Sequence, residues 1–289
     1  VAPTIQKAIF GYGKTSSDVS LTNLVNSSGV VATDVTGVGT ARNNLAASSY
    51  GGDKAIFGYG RTSTQVSMTN LVNNSGVVAT DVSGVGTARQ SLAAASYGGD
   101  KAIFGYGTDS SLTNLVTNQG VVGNDVSGVG TARNDLAAAS YGGDKAIFGY
   151  GYYYSGGVVN YSLTNKVSNS GVVASDTTGV GTARYLLAAA GYGGDKAIFG
   201  FGTTGSVTGL TNLVSNTGVV ASNVSAVGTA RKGLAAAGYG GDKAIFGYGT
   251  TGSLTAITNL VNNSGVVASD VSGVGTAREK PAAAGFSYA

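Results

Sequence analysis

Leu92-Ala93-Ala94-Ala95-Ser96-Tyr97-Gly98-Gly99-Asp100-Lys101-Ala102-Ile103-Phe104-Gly105-Tyr106-Gly107 is the stretch on which the reading of this chain turns. Two short apolar runs flank a Gly-Gly-Asp tripeptide, the pattern of a tight β-hairpin. The alanine-rich run between glycines is too short for a stable helix, so a strand prevails. The second run, Lys-Ala-Ile-Phe-Gly-(Tyr/Phe)-Gly, occurs six times, starting at Lys7, Lys54, Lys101, Lys145, Lys196 and Lys243. The intervals are 47, 47, 44, 51 and 47 residues. A period of about 40–50 residues is typical of β-propeller blades.

Each unit holds two further strand candidates. In the unit quoted they are Leu112 to Val116 and, after a Thr117-Asn118-Gln119-Gly120 turn, a run from Val121 to Arg133. The expectation is a single all-β domain over residues 1–289, a six-bladed β-propeller with four antiparallel strands per blade. The alanine-rich strand is expected innermost, where six strands crowd together and leave room only for small side chains. The chain opens on a second strand, from Ile5, with no first strand before it, and residues 281–288 supply a spare first strand. That closing strand would complete the N-terminal blade and cover an exposed sheet edge.

The order of elements in Ala88 to Gly107, namely Arg, small-residue strand, Gly-Gly turn and apolar strand, resembles the kelch repeat, and does so in all six units. The chain departs from it in carrying Gly-Tyr-Gly where a kelch repeat has a double glycine. It also has no Trp, and Val77 and its equivalents stand at the expected aromatic position. Units of this wording further resemble repeats in proteins of bacteriophages and environmental bacteria. The kelch resemblance implies a binding face made by the loops between second and third strands and between successive blades.

Composition narrows the chemistry. There is no Cys and no His, and the one Glu is Glu279. Disulfides, zinc-thiolate sites and thiol catalysis are therefore excluded, and the usual general bases are missing. Aspartates that recur by symmetry share near-equal environments, which does not separate their pKa values as a catalytic pair requires. A non-catalytic protein without a cofactor is the expectation. Seventeen basic and fourteen acidic residues give a net charge of +3. Of these, 22 occupy repeat-locked positions; the remaining nine are Lys14, Arg61, Lys166, Lys232, Lys280, Asp18, Asp109, Asp135 and Glu279. Both signs mix, so no nucleic-acid-binding stripe is expected. No apolar run is long enough to span a membrane as a helix, and Val1-Ala2-Pro3-Thr4 does not read as a signal peptide.

Two sets of residues are candidates for binding. The loop after Gly-Tyr-Gly contains 7, 7, 4, 11, 7 and 7 residues in the six copies, and insertions gathered on one face often mark a binding side. The longest holds Tyr152, Tyr153, Tyr154 and Tyr161, whose stacking faces and hydroxyls suit a glycan or a protein partner. An inserted hairpin with cross-strand aromatic pairs is the alternative. The second set is Arg42, Arg89, Arg133, Arg184, Arg231 and Arg278, one before each inner strand. In a closed ring they could encircle a channel mouth and hold an anion, or each could pair with a loop carbonyl or a recurring Asp (Asp34, Asp81, Asp125, Asp176, Asp270) of a neighbouring blade. Two function classes stay open. One is a monomeric recognition module for a glycan, host receptor or protein, extracellular or on a virion. The other is a structural component or scaffold, engineered or recently amplified, although Asn223 and Ala226 break the repeat as an idealised design would not.

Overall fold

The computed structural model describes residues 6–225 and 227–287. Ala226, residue 288 of the expected closing strand and Ile5 lie outside the described residues. The chain is all-β, with no helix among the described residues, and forms six antiparallel three-stranded sheets. Sheet I pairs Ala282–Phe286, Lys7–Gly11 and Thr22–Val25. Sheet II pairs Ala46–Tyr50, Lys54–Gly58 and Thr69–Val72. Sheet III holds Ala93–Tyr97, Lys101–Gly105 and Thr113–Val116; sheet IV holds Ala137–Tyr141, Lys145–Gly149 and Thr164–Val167. Sheet V comprises Ala188–Tyr192, Lys196–Gly200 and Thr211–Val214, and sheet VI Ala235–Tyr239, Lys243–Gly247 and Thr258–Val261. Ala282–Phe286 pairs with Lys7–Gly11 in the register that first strands hold elsewhere, for example Phe10 opposite Ala283 and Phe57 opposite Ala47. First strands of successive sheets lie side by side from I to VI, and that of VI lies beside that of I.

The sheets pack face to face, with one apolar core at each of the six junctions. The middle strand is buried on both faces, which is why it reads as a continuous Ala-Ile-Phe run and not as an alternating one. Its terminal glycine has a packing cause. A Cβ at Gly58 would lie 2.6 Å from Phe104 Cζ, and one at Gly11 2.7 Å from Phe57 Cζ. The series continues round to Gly247, which is covered by Phe10. Each Phe thus sits on the glycine of the preceding sheet, tilted against that sheet's aromatic, as Phe57 is against Tyr12 at 5.1 Å.

The expected fourth strand is not a regular strand. Its segment meets the third strand only at isolated bridges, Val25 with Val31 and Thr22 with Val35, and likewise in the other sheets. Between those bridges the third strand advances three residues and its partner four. One extra residue makes a bulge and breaks the ladder. Asn23 fills the gap, donating from Nδ2 to Ala32 O at 3.0 Å and to Asp34 Oδ1 at 2.9 Å. Outside this bulged segment Val30, Val77 and their equivalents are exposed.

Candidate functional site

The six arginines are fully buried at the junctions between sheets. Arg42 donates from Nε to Tyr59 O at 2.9 Å, from Nη1 to Thr40 O at 3.1 Å and from Nη2 to Asn70 Oδ1 at 2.7 Å. Its guanidinium lies 4.3 Å from the ring centroid of Tyr12, on the preceding sheet. Asp81 completes the junction, accepting from Thr40 N and, at 2.6 Å, from Thr40 Oγ1. The separation from Arg42 Nη1 to Asp81 Oδ1 is 3.9 Å. In the fifth sheet Asn223 takes the Asp position and keeps the Thr contacts, with its Nδ2 donating to Thr182 Oγ1 at 2.7 Å. The expectation that the arginines ring a channel mouth and hold an anion is therefore corrected. An adjoining Tyr or Phe ring draws each guanidinium into the junction, where no solvent reaches it, and an in-sheet Asn accepts from Arg42, Arg89, Arg133 and Arg278. Burial lowers the affinity of Arg42 for its proton, opposed by Tyr12 and Asp81.

The residues directly after each arginine form a different arrangement. The second of them is in the left-handed region in every sheet, with φ between 49° and 61° at Asn44, Ser91, Asp135, Leu186, Gly233 and Lys280. This costs about 1 kcal/mol for a residue other than Gly but turns the N–H of five of them toward the preceding unit. Ser91 N donates to Asn44 O, Asp135 N to Ser91 O, Leu186 N to Asp135 O and Gly233 N to Leu186 O, all at 2.9 Å. Lys280 N donates to Gly233 O at 2.7 Å. The result is a collar of main-chain hydrogen bonds at one end of the first strands, around a cavity of about 70 Å³.

The first residue after each arginine ties the collar to the variable loop. Asn43 and Arg61, Asn134 and Tyr152, Tyr185 and Thr203, and Lys232 and Thr250 each exchange two main-chain hydrogen bonds, as do Glu279 and Lys14. In sheet III, whose loop is shortest, Gln90 N bonds instead to Thr108 Oγ1 at 3.0 Å. Loop and dipeptide thus share one face. Both the loop and the dipeptide differ from copy to copy, and eight of the nine charges outside repeat-locked positions fall in them, Lys166 being the exception. Comparing residue identities across copies, beyond loop lengths, is the signal that would have singled out the dipeptide.

The eleven-residue loop forms a hairpin of Tyr152–Tyr154 and Val158–Asn160. The cross-strand partners of its tyrosines are Asn160, Val159 and Val158, so no aromatic pairs form across it. Tyr152 instead packs edge-on against Tyr185 of the neighbouring dipeptide, at 4.9 Å between centroids. Tyr153 and Tyr161 are half-buried, and Tyr154 at the tip is exposed together with Val158 and Val159. Beside the hairpin, Asn134 Nδ2 donates to Asp109 Oδ1 at 2.6 Å. Burial pushes the Asp135 carboxyl up, opposed by a hydrogen bond from Ser91 and by Lys280. The Tyr152 phenol is pushed up to about 12 by burial first, then by Asp135, Asp109 and Tyr185. No group of three or more His, Cys, Asp or Glu side chains placed to hold a metal occurs among the described residues. Compared with known proteins, the chain matches no family model and no curated protein.

Proposed function

We propose that the six sheets are the blades of a six-bladed, kelch-like β-propeller, and that the protein is a non-catalytic recognition module. Its partner is a macromolecule, a protein or glycan receptor, bound by the face that carries the collar, the dipeptides and the Tyr152–Asn160 hairpin. The observation that carries this reading is the convergence of unlike residues on one face of otherwise near-identical units. A scaffold with no partner has no reason to gather its non-repeating charges there. A partner as large as a protein suits the geometry, because the cavity of about 70 Å³ falls well short of the about 300–1,000 Å³ of small-molecule sites.

The test replaces Tyr152–Ser162 with the seven-residue loop Thr203–Gly209 of the next unit, alone and combined with Asp135→Asn and Tyr185→Ala. Wild type is expected to give a signal on a glycan array or in a pull-down from cell-surface material, and the exchanged chains to lose it at an unchanged melting temperature. Equal signals from all chains would sink the reading and favour a structural component.

A further inference from the structure

The opposite end of the first strands encloses a larger space. The residues lining it just before each final aromatic are Ser49, Ser96, Ser140, Gly191, Gly238 and Gly285, one from every sheet. The cavity measures about 450 Å³, within the range of small-molecule sites. Its wall is divided in two. Sheets II, III and IV contribute hydroxyls in succession, and sheets V, VI and I contribute bare glycine backbone.

The side-chain oxygens of Ser49, Ser96 and Ser140 make no hydrogen bond among the described residues, whereas the adjacent Ser48 Oγ donates to Ser49 O at 3.2 Å. Three half-buried hydroxyls thus face a common space with both donor and acceptor capacity unused. The charges at the rim are already matched. Asp195 lies 3.8 Å from Lys196 and Asp242 3.5 Å from Lys243, and each Asp also accepts from an Asn Nδ2, of Asn216 and Asn263 respectively. Among the lining residues an anionic ligand would find no unpaired cation, and an amine no unpaired carboxylate. Two residues earlier on the same strands, and so on the same side, stand Ala47, Ala94, Ala138, Ala189, Ala236 and Ala283. The space therefore offers hydroxyls along one side and open glycine backbone, with the two matched Asp–Lys pairs at its rim, along the other.

We propose that this cavity is a site for a neutral saccharide, taking a terminal pyranose with its hydroxyl edge on the serine half and its C–H face on the glycine half. A sugar ring has that same division, and each of its hydroxyls both donates and accepts, as a serine hydroxyl does. The site lies at the far end of the strands from the collar face and does not depend on the function proposed above.

The experiment uses the full chain against methyl glycosides of neutral hexoses, N-acetylhexosamines and sialic acid, with binding read by ligand-observed NMR and calorimetry. A neutral glycoside is expected to bind. The triple variant Ser49→Ala, Ser96→Ala, Ser140→Ala is expected to weaken it at least tenfold with an unchanged melting temperature. Gly191→Val gives a second measure, because the atoms nearest a Cβ there, Ser140 O and Oγ at 3.4 Å and Lys196 O at 3.6 Å, are at ordinary contact distance. The backbone admits a Cβ there, and the valine is expected to fill the open half and abolish binding with all three serines present. The Tyr152–Ser162 loop exchange should leave sugar binding intact. No binding of any neutral glycoside at millimolar concentration overturns the proposal. So does undiminished binding by both variants, preference for sialic acid, or loss of binding on loop exchange alone.

Discussion

Arg278 Nη2 donates to Asn23 Oδ1 at 2.8 Å, joining residues 255 positions apart in the chain. The same guanidinium donates to Tyr12 O at 2.8 Å and Thr276 O at 3.1 Å and lies 4.0 Å from the Tyr248 ring centroid. One side chain therefore holds the last first strand against the first sheet. Arg278→Met would strand two buried acceptors, Tyr12 O and Asn23 Oδ1, and is expected to cost about 2–6 kcal/mol in urea unfolding, at about 1–3 kcal/mol for each unsatisfied group. Lysine should not rescue it, because an ammonium lacks the planar fork of donors. Lys166→Ala, an exposed control, should stay within about 0.5 kcal/mol.

Acid should unfold the protein through the junction carboxylates. For Asp34, Asp81, Asp125, Asp176 and Asp270, burial raises the pKa, but hydrogen bonds from Thr and Asn and the nearby Arg outweigh it, and the net shift is downward. A folded-state pKa below the unfolded value of about 3.9 means the unfolded chain binds protons more readily. Their contribution is present above about pH 4 and is lost as pH falls through the folded values. Melting temperatures between pH 7 and pH 2 should show the decline concentrated below about pH 4.

Asn223→Asp should restore the missing sixth carboxylate. Thr182 Oγ1, which now accepts from Asn223 Nδ2, would turn to donate, as Thr40 does to Asp81. The variant is expected to gain up to about 1 kcal/mol at pH 7 and to lose that gain at pH 2, measured by thermal unfolding.

Gly105→Ala should be costly for a steric reason. A Cβ there would stand 2.7 Å from Phe148 Cζ, and overpacking of this kind costs about 1–3 kcal/mol. Adding Phe148→Leu should cost less than the sum of the two single changes. Full additivity in a double-mutant cycle would place the strain elsewhere.

The Tyr152 phenol, held at about 12, provides a local probe of the collar face. Asp135→Asn and Asp109→Asn each remove a negative charge that disfavours the phenolate, so both should lower its pKa. Burial, the largest cause, remains in either variant, so the value should stay above the ordinary phenol value of about 10. Tyrosine-selective ¹³C NMR titration reads the change.

Much of this architecture is legible in the sequence. Gly-Gly-Asp hairpins and the spare strand that ends at Phe286 follow from turn chemistry and from counting copies. The bulge opposite Thr22–Val25 does not, because one extra residue leaves the apolar pattern of Val30, Val31 and Val35 intact while shifting the register. The destination of Arg42 is equally hidden, since a residue repeated in all six units is compatible with a channel ring or with six separate junctions. What decides it is the ring of Tyr12, thirty residues earlier, which covers the guanidinium. The divided wall of Ser49, Ser96, Ser140 and the three glycines is visible as letters, but it acquires meaning only once six strands bring those letters to one space.

The repeated bonds of the collar run between main-chain atoms, so they do not depend on what each position displays. Asn44, Ser91, Asp135, Leu186, Gly233 and Lys280 occupy equivalent places with almost the same φ, joined in series by five main-chain hydrogen bonds. An amide, a hydroxyl, a carboxyl, an isobutyl group, a hydrogen and an ammonium have already been accommodated there. These six sites therefore behave as an address that can be rewritten one letter at a time, by evolution or by an engineer, without renegotiating the scaffold that carries it.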